Sequence, residues 1–347
     1  MPKVESAQSP PPALRWGLAG ASTMALDYVG PAILAAGHTV AGVCSRSQER
    51  ARTVAVALGG APAFPSIEQM LERGELDAVY VSSTNDDHAP QAIAAAHAGV
   101  HVLCEKPLAP DLAAAWEIAR ACEAGGVVLG TNHHLRNAPA HRRVRELIRD
   151  GLLGRPLAAR LQSAMLLDPQ WHGWRLSDPL NGGAILDLTV HAADLLRFVL
   201  DDDVTEVTAL ADPAGGAATV AERAVMTLLR FAGGALASCH DAFTVPNAPS
   251  CLEVYGSEAA LVVSDANAWQ PIATVLLRRD GREERVALPA PENLYERGVQ
   301  QFAAAVRTGS APPASGLDGI RSLEVALAAR RSAREGTTVT LAADTAR

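Results

Sequence analysis

From residue 14 to residue 130, short apolar runs alternate strictly with helix-like segments, and that rhythm excludes most folds. Runs of β-formers at 14–19, 39–44, 77–83, 101–104 and 127–130 are separated by helical patterning, as at 89–98 and 111–123, with breaks at Gly99 and Gly125-Gly126. Parallel strands need a crossover between them, usually a helix, so this βαβα succession predicts a mostly parallel, doubly wound sheet. In such sheets ligands bind just beyond the carboxyl ends of the strands. The residues after each apolar run are therefore the first candidates for function.

The first run leads into Gly20-Ala21-Ser22-Thr23-Met24-Ala25. A dinucleotide turn needs small residues there, so that backbone can approach a pyrophosphate and a helix can pack on the strand. Ser22 stands where the second glycine of that pattern is expected; it is still small, and its hydroxyl can bond a phosphate oxygen. The second run leads into Ser45-Arg46-Ser47-Gln48-Glu49-Arg50, with no acid at the strand tip. A carboxylate there would hold the ribose of NAD and repel a 2′-phosphate. Ser45 can instead donate to that phosphate and a guanidinium can pair with it, which favours NADP. The plainer alternative is that Arg46 and Arg50 only solvate a helix start. Residues 84–88 read as a polar turn at the same edge. Glu105-Lys106-Pro107 follows the fourth run, where a lysine can polarise a carbonyl or exchange a proton, or simply end a strand in solvent.

Beyond Asn132-His133-His134 the rhythm changes. After a helix at about 140–150, strands follow in series, including 222–231, 235–240 and 250–255, which predicts a second, largely antiparallel α+β domain. Within it, Leu188, Ala192, Leu195 and Val199 recur at helical spacing as a core face, beside a stripe of Asp187, His191 and Asp194. Asp187 and His191, four residues apart, share a helix face, and a carboxylate beside an imidazole raises its pKa toward that of a useful acid. The same stripe also reads as a satisfied polar row beneath a sheet. A metal is not expected, because no third ligand stands at a fixed offset.

Length and composition bound the rest. At 347 residues the chain suggests two domains. A formal charge of −8, with no basic stripe, argues against nucleic acid. Five scattered cysteines with no C-x-x-C favour reduced thiols in a cytoplasm, and no run is long enough for a membrane helix. Residues 1–13, rich in proline, read as a disordered lead-in.

Taken together, Gly20-x-Ser22-x-x-Ala25, Glu105-Lys106-Pro107, Asn132-His133-His134 and Gly182-Gly183-Ala184-x-x-Asp187-x-x-x-His191 resemble the glucose-fructose oxidoreductase/inositol dehydrogenase (Gfo/Idh/MocA) family over nearly the whole chain. The resemblance implies an α/β protein: a Rossmann domain over 14–133, and over 134–347 a substrate-binding and oligomerisation domain with a large, mostly antiparallel open sheet. It implies NADP(H)-dependent hydride transfer to or from a sugar, in a homo-oligomer, or less readily a non-catalytic sugar or dinucleotide sensor. Lys106, Asp187 and His191 match the catalytic positions. Gly20, Ser22, Thr23 and Met24 match the pyrophosphate and nicotinamide end, Ser45, Arg46 and Arg50 the 2′-phosphate, and Ser83, Thr84, Asn85, His88 and Glu105 the groove between them. Trp174 and Arg175 match a segment that closes on cofactor and substrate, and His133 and Ser163 fall at the sugar pocket. Ser163 stands where the resemblance leads one to expect a histidine, which bears on which sugar fits. The resemblance also implies a cis Lys106–Pro107 bond.

Overall fold

The computed structural model describes residues 12–212, 221–268, 270 and 272–342. The expected lead-in therefore lies outside the described residues up to residue 11, and Pro12 and Ala13 are exposed. The first sheet has six strands: β1 (Arg15–Ala19), β2 (Thr39–Cys44), β3 (Ala63–Phe64), β4 (Ala78–Val81), β5 (His101–Cys104) and β6 (Leu129–Thr131). They are parallel, in the order β3-β2-β1-β4-β5-β6. This is the doubly wound Rossmann order, and its direction reverses between β1 and β4, where the crevice opens. The strands are buried on both faces, as crossover helices require.

One local expectation is corrected. Residues 84–88 are not a free turn: helix Asn85–His97 begins there, with Asp86 and Asp87 in its first turn, where negative charge suits the helix N-terminus.

The second sheet contains β7 (Pro156–Ala164), β8 (Val204–Ala211), β9 (Ala224–Phe231), β10 (Leu236–Ala242), β11 (Cys251–Gly256), β12 (Ala260–Ser264), β13 (Thr274–Arg279), β14 (Arg282–Arg285) and β15 (Val339–Thr340). Its order is β14-β13-β12-β11-β7-β10-β9-β8-β15, and among these pairings only β7 and β10 run parallel. Its inner face is covered by helices Val190–Leu200 and Gly316–Glu335. Strict alternation along β9 turns Val225, Leu229 and Phe231 inward and leaves Met226 and Leu228 exposed on the outer face, with Leu210 and Leu236 beside them.

The chain then returns to the first sheet. Asn293 caps helix Leu294–Thr308 through the amides of Tyr295 and Glu296, and Phe302 of that helix packs on Trp16 of β1 with ring centroids 5.4 Å apart. A reciprocal capping box, Ser315 with Asp318, starts the last long helix.

Candidate active site

The crevice begins at Gly20, whose φ of +105° suits glycine and whose amide bonds the Cys44 carbonyl at the tip of β2. A Cβ there would lie 2.6 Å from the Ser83 amide nitrogen, so only glycine lets the tips of β1 and β4 approach. The Ser22 hydroxyl donates to Ser82 at 2.8 Å and accepts the Ala25 amide at 3.0 Å, which closes the turn. Thr23 and Met24 follow, half-buried, and Met24–Val29 is wound in the wider π form. Bare backbone, a small hydroxyl and a helix start at one strand tip fit the pyrophosphate of a dinucleotide.

Across from this turn lies the tip of β2. Ser45 accepts the Ser47 amide at 3.2 Å, and Arg50 donates to the Ala21 carbonyl at 3.1 Å. The Arg46 side chain, 82% exposed, stands 3.5 Å from Asp87. The groove wall is a run of polar side chains tied to one another. Ser83 donates to Gln91 and Thr84 to Asp87, while Asn85 reaches the Asn181 carbonyl at 2.9 Å in the second half of the chain. His88 is buried, and its Nδ1 lies 2.9 Å from the Pro107 carbonyl.

At the end of β5, Glu105 is buried and accepts from Tyr80 and Asn132. Burial raises its carboxyl above the ordinary range, against the lowering pull of those bonds and of Lys106. The Lys106–Pro107 bond is cis, as the resemblance implied. Lys106 Nζ donates to Asp187 twice, to Oδ1 at 2.6 Å and to the backbone carbonyl at 2.9 Å. The other carboxylate oxygen of Asp187 accepts from Arg175 Nε at 3.1 Å. The Arg175 guanidinium lies 5.3 Å from the Trp171 ring centroid and 4.8 Å from that of Trp174, both within cation–π range. Burial pushes the Asp187 carboxyl up, but Lys106 and Arg175 outweigh it and hold the group below its usual value.

His191 differs from expectation. Asp187 engages Lys106 and Arg175 rather than the imidazole, and Nδ1 of His191 is buried with no hydrogen-bond partner among the described residues. Burial, then the charge of Lys106 and the neighbouring His134 and His133, depress its pKa well below the ordinary value instead of raising it. The three rings form a cluster, with centroids 5.1 Å apart for His134–His191 and 6.0 Å for His133–His191, and His134 stacks on Tyr295 at 5.0 Å. His133 sits behind this cluster, 2% exposed, with Nε2 on the Ser322 hydroxyl. Burial lowers His133 to about 4 and His134 to about 3. Behind them Arg136 grips Asp194 with two bonds, 2.8 and 2.6 Å, and Asp318 with a third. Ser163, on β7, is buried and accepts from Asn267 at 2.6 Å.

Lys106, Asp187, Arg175 and His191 are thus brought together, with Trp174 at the rim, while the cofactor candidates line the first sheet's edge. Sequence reasoning used Asn132 and His134 as part of a motif without giving either a role, and passed over Tyr80, Asn267, Asp241 and Thr189. Asp241 carries a readable signal, an acid at an inward position of an alternating strand. Among the described residues no cluster of metal-ligating side chains occurs and no helix is long and apolar enough to cross a membrane.

Comparison with known proteins fits this geometry. The oxidoreductase family with an NAD-binding Rossmann fold matches residues 14–133, and the GFO/IDH/MocA C-terminal domain matches 141–262. The chain is 46% identical to a 1,5-anhydro-D-fructose reductase of Ensifer adhaerens over 93% of its own length and 97% of that protein's. It is 29% identical to a myo-inositol 2-dehydrogenase of Thermotoga maritima over 85% and 88%. A solved structure of the aldose-aldose oxidoreductase from Caulobacter crescentus, complexed with glycerol, superposes with a TM-score of 0.87 at 25% identity, covering 95% of this chain and all of that one.

Proposed function

The chain belongs to the GFO/IDH/MocA family of sugar oxidoreductases, and from that premise we propose that it is an NADP(H)-dependent reductase of a keto-sugar, with 1,5-anhydro-D-fructose as the first candidate substrate. The observation that carries this reading is the Lys106–Asp187 ion pair, set beside His191 at the edge of the dinucleotide groove. In this reading residues 14–133 hold the cofactor and 134–347 hold the sugar.

When bound, the dihydronicotinamide supplies hydride to the carbonyl carbon. The protein supplies what that transfer needs at oxygen. The Lys106 ammonium stands ready to stabilise the alkoxide and to pass it a proton, as an oriented cation in a low-dielectric cleft does effectively. Asp187 fixes the direction of that ammonium through two hydrogen bonds. His191, held neutral, orients the same oxygen as a hydrogen-bonding partner; a depressed pKa suits this role better than that of an imidazolium acid. Trp174 and Arg175 cover the site and exclude water. The cofactor preference rests on the tip of β2, where Ser45, Arg46 and Arg50 offer donors and the strand tip itself carries no carboxylate, the one that meets Arg46 being Asp87 of the neighbouring helix at 3.5 Å.

A second reading within the same chemistry, reduction of another keto-sugar or oxidation of a polyol or sugar, is favoured by one observation. Ser163, a small hydroxyl, occupies a pocket position where the first candidate leads one to expect a histidine. A panel of keto-sugars and polyols with NADPH, NADH and their oxidised forms decides between them. The expected result is NADPH consumption with an anhydro-keto-sugar and weak use of NADH. Equal use of both cofactors overturns the preference, and turnover only with another sugar or polyol overturns the substrate.

The protein further acts, in this reading, as a homo-oligomer in a reducing cytoplasm. Leu210, Met226, Leu228 and Leu236 expose adjacent apolar surface on the outer sheet face that a second copy would cover. A solution mass of one chain at micromolar concentration overturns that assignment.

A further inference from the structure

β7 and β10 lie side by side and parallel, and Asp241 is the register partner of Ser163 near their carboxyl ends. The inner-face positions below them are apolar or nearly so: Ala159 and Leu161 on one strand, Ala237 and Cys239 on the other. Along these two strands polarity thus enters this face only at their ends. Asp241 is fully buried, and among the described residues it has no cationic partner. A buried carboxyl without a counter-ion is destabilising unless it is well hydrogen-bonded, and an apolar side chain would fill the same space at less cost.

Its partner explains its presence. Thr189 Oγ1 donates to Asp241 Oδ2 at 2.8 Å. Thr189 lies within the π-wound turn Ile185–Thr189, two residues after Asp187 and two before His191. A helical threonine commonly returns its hydroxyl to a carbonyl of the preceding turn, but here it reaches out to the sheet instead. On the other side Asn267 holds the Ser163 hydroxyl at 2.6 Å.

We propose that Asp241 is a positioning residue. It fastens the widened turn that carries Asp187 to the sheet wall that carries Ser163, so that the placing of the Lys106–Asp187 pair and the shape of the sugar wall are set together. Burial raises the Asp241 carboxyl to about 7, and the Thr189 and Ser163 hydroxyls only partly offset it; the positioning role rests on the Thr189 contact and the strand register, not on this value. The inference rests on the sugar-reductase reading for its turnover arm alone.

The test uses the full-length enzyme. Thr189→Val keeps the shape and removes the donor, and should lower kcat by about tenfold or more while the Kd for NADPH changes by less than about twofold, since small displacements at a reacting centre act mainly on the transition state. Thr189→Ser should recover most of that loss. A lower Tm with unchanged kcat would mean that the contact only stabilises the fold, and would overturn the proposal. Should Thr189→Val fail to fold, Asp241→Asn, which keeps the volume and one accepting oxygen, decides by the same split between kcat and NADPH binding. A second readout needs no turnover: the rate at which an amine-reactive acylating reagent modifies Lys106, followed by mass spectrometry. Thr189→Val should change it severalfold and Thr189→Ser should not; an unchanged rate in Thr189→Val overturns the proposal. An enzyme that turns over no sugar but shows this change would overturn the sugar-reductase reading and leave the role of Asp241 standing.

Discussion

Lys106 and His191 lie close enough for the charge of one to depress the pKa of the other, yet their surroundings are built by opposite rules. Around Lys106 every burial of charge is answered by charge: Asp187 on the ammonium, Arg175 on Asp187, two indoles beside Arg175. Around His191 no opposite charge answers among the described residues, and the charge of Lys106 opposes a proton there. His133 and His134 are buried with it, and all three are depressed toward neutrality. A paired group keeps its charge and the direction of its hydrogen bonds, whereas an unpaired buried imidazole gives up its proton and becomes a weak, adaptable partner. The difference assigns a task to each side. In the proposed mechanism the paired side stabilises developing negative charge, and the neutral side shapes the space in which it develops.

The two sides should therefore fail in different pH windows, and this is the largest effect expected. His133 and His141 are held at about 4 and His134 at about 3. An unfolded histidine titrates near 6.5, so between that value and the folded one the unfolded chain binds more protons. Stability is then fully present above about 6.5 and lost as pH falls, by about 2 kcal/mol per such histidine at pH 5. Asp187, whose pKa is lowered, adds a loss only in the more acid range below the ordinary carboxylate value. Asp241 works the other way: raised to about 7, it favours the folded state below the unfolded carboxylate value, near 4, and loses that contribution as pH rises through 7. Chemical denaturation from pH 7.5 to pH 4 should show a steep fall below pH 6.5; a flat profile down to pH 4.5 would mean that the histidines are not buried neutral.

Next in size is turnover. Lys106→Ala and His191→Ala should each lower kcat about a hundredfold or more while leaving NADPH affinity within a few-fold. Asp187→Asn sharpens the comparison, because it removes the charge that aims Lys106 without touching His191, and should resemble Lys106→Ala more closely than His191→Ala. A variant at Lys106 or His191 with near-normal kcat would remove that residue from the mechanism. The smallest effect belongs to the cofactor's far end. Arg46→Ala and Arg50→Ala should each weaken NADPH by about tenfold with little change for NADH, a ratio measurable by fluorescence titration. Equal weakening of both cofactors would show that these arginines do not read the 2′-phosphate.

The sequence announced one side of this cleft more clearly than the other. The Rossmann alternation, the Gly20 turn and the lysine at the tip of β5 follow from local signals of strand, breaker and helix, which act within a few residues. The choice of partner by Asp187 does not. Its spacing to His191 fits a shared helix face, but Lys106, 81 residues away, and Arg175 carry full charges and take the carboxylate. The protonation of His191 was misread for the same reason, since desolvation depends on what packs around a ring and not on what precedes it in the chain. Neither π-wound turn has a residue pattern that marks it, and Asp241 became meaningful only once β10 was laid beside β7.

Lys106 stands at the tip of the nucleotide-binding sheet, and Asp187 and Arg175 stand on the other half of the molecule. Asn85 crosses the same seam to the Asn181 carbonyl, and just past the end of the first half Arg136 binds Asp194 and Asp318. The Lys106–Asp187 ion pair is therefore also a clasp. Spreading the halves would part the ammonium from its carboxylate, so on the proposed mechanism an open molecule is at the same moment a disarmed one. On the proposed mechanism the cleft is an interlock: the hydride donor would meet a carbonyl only when both halves are shut on it.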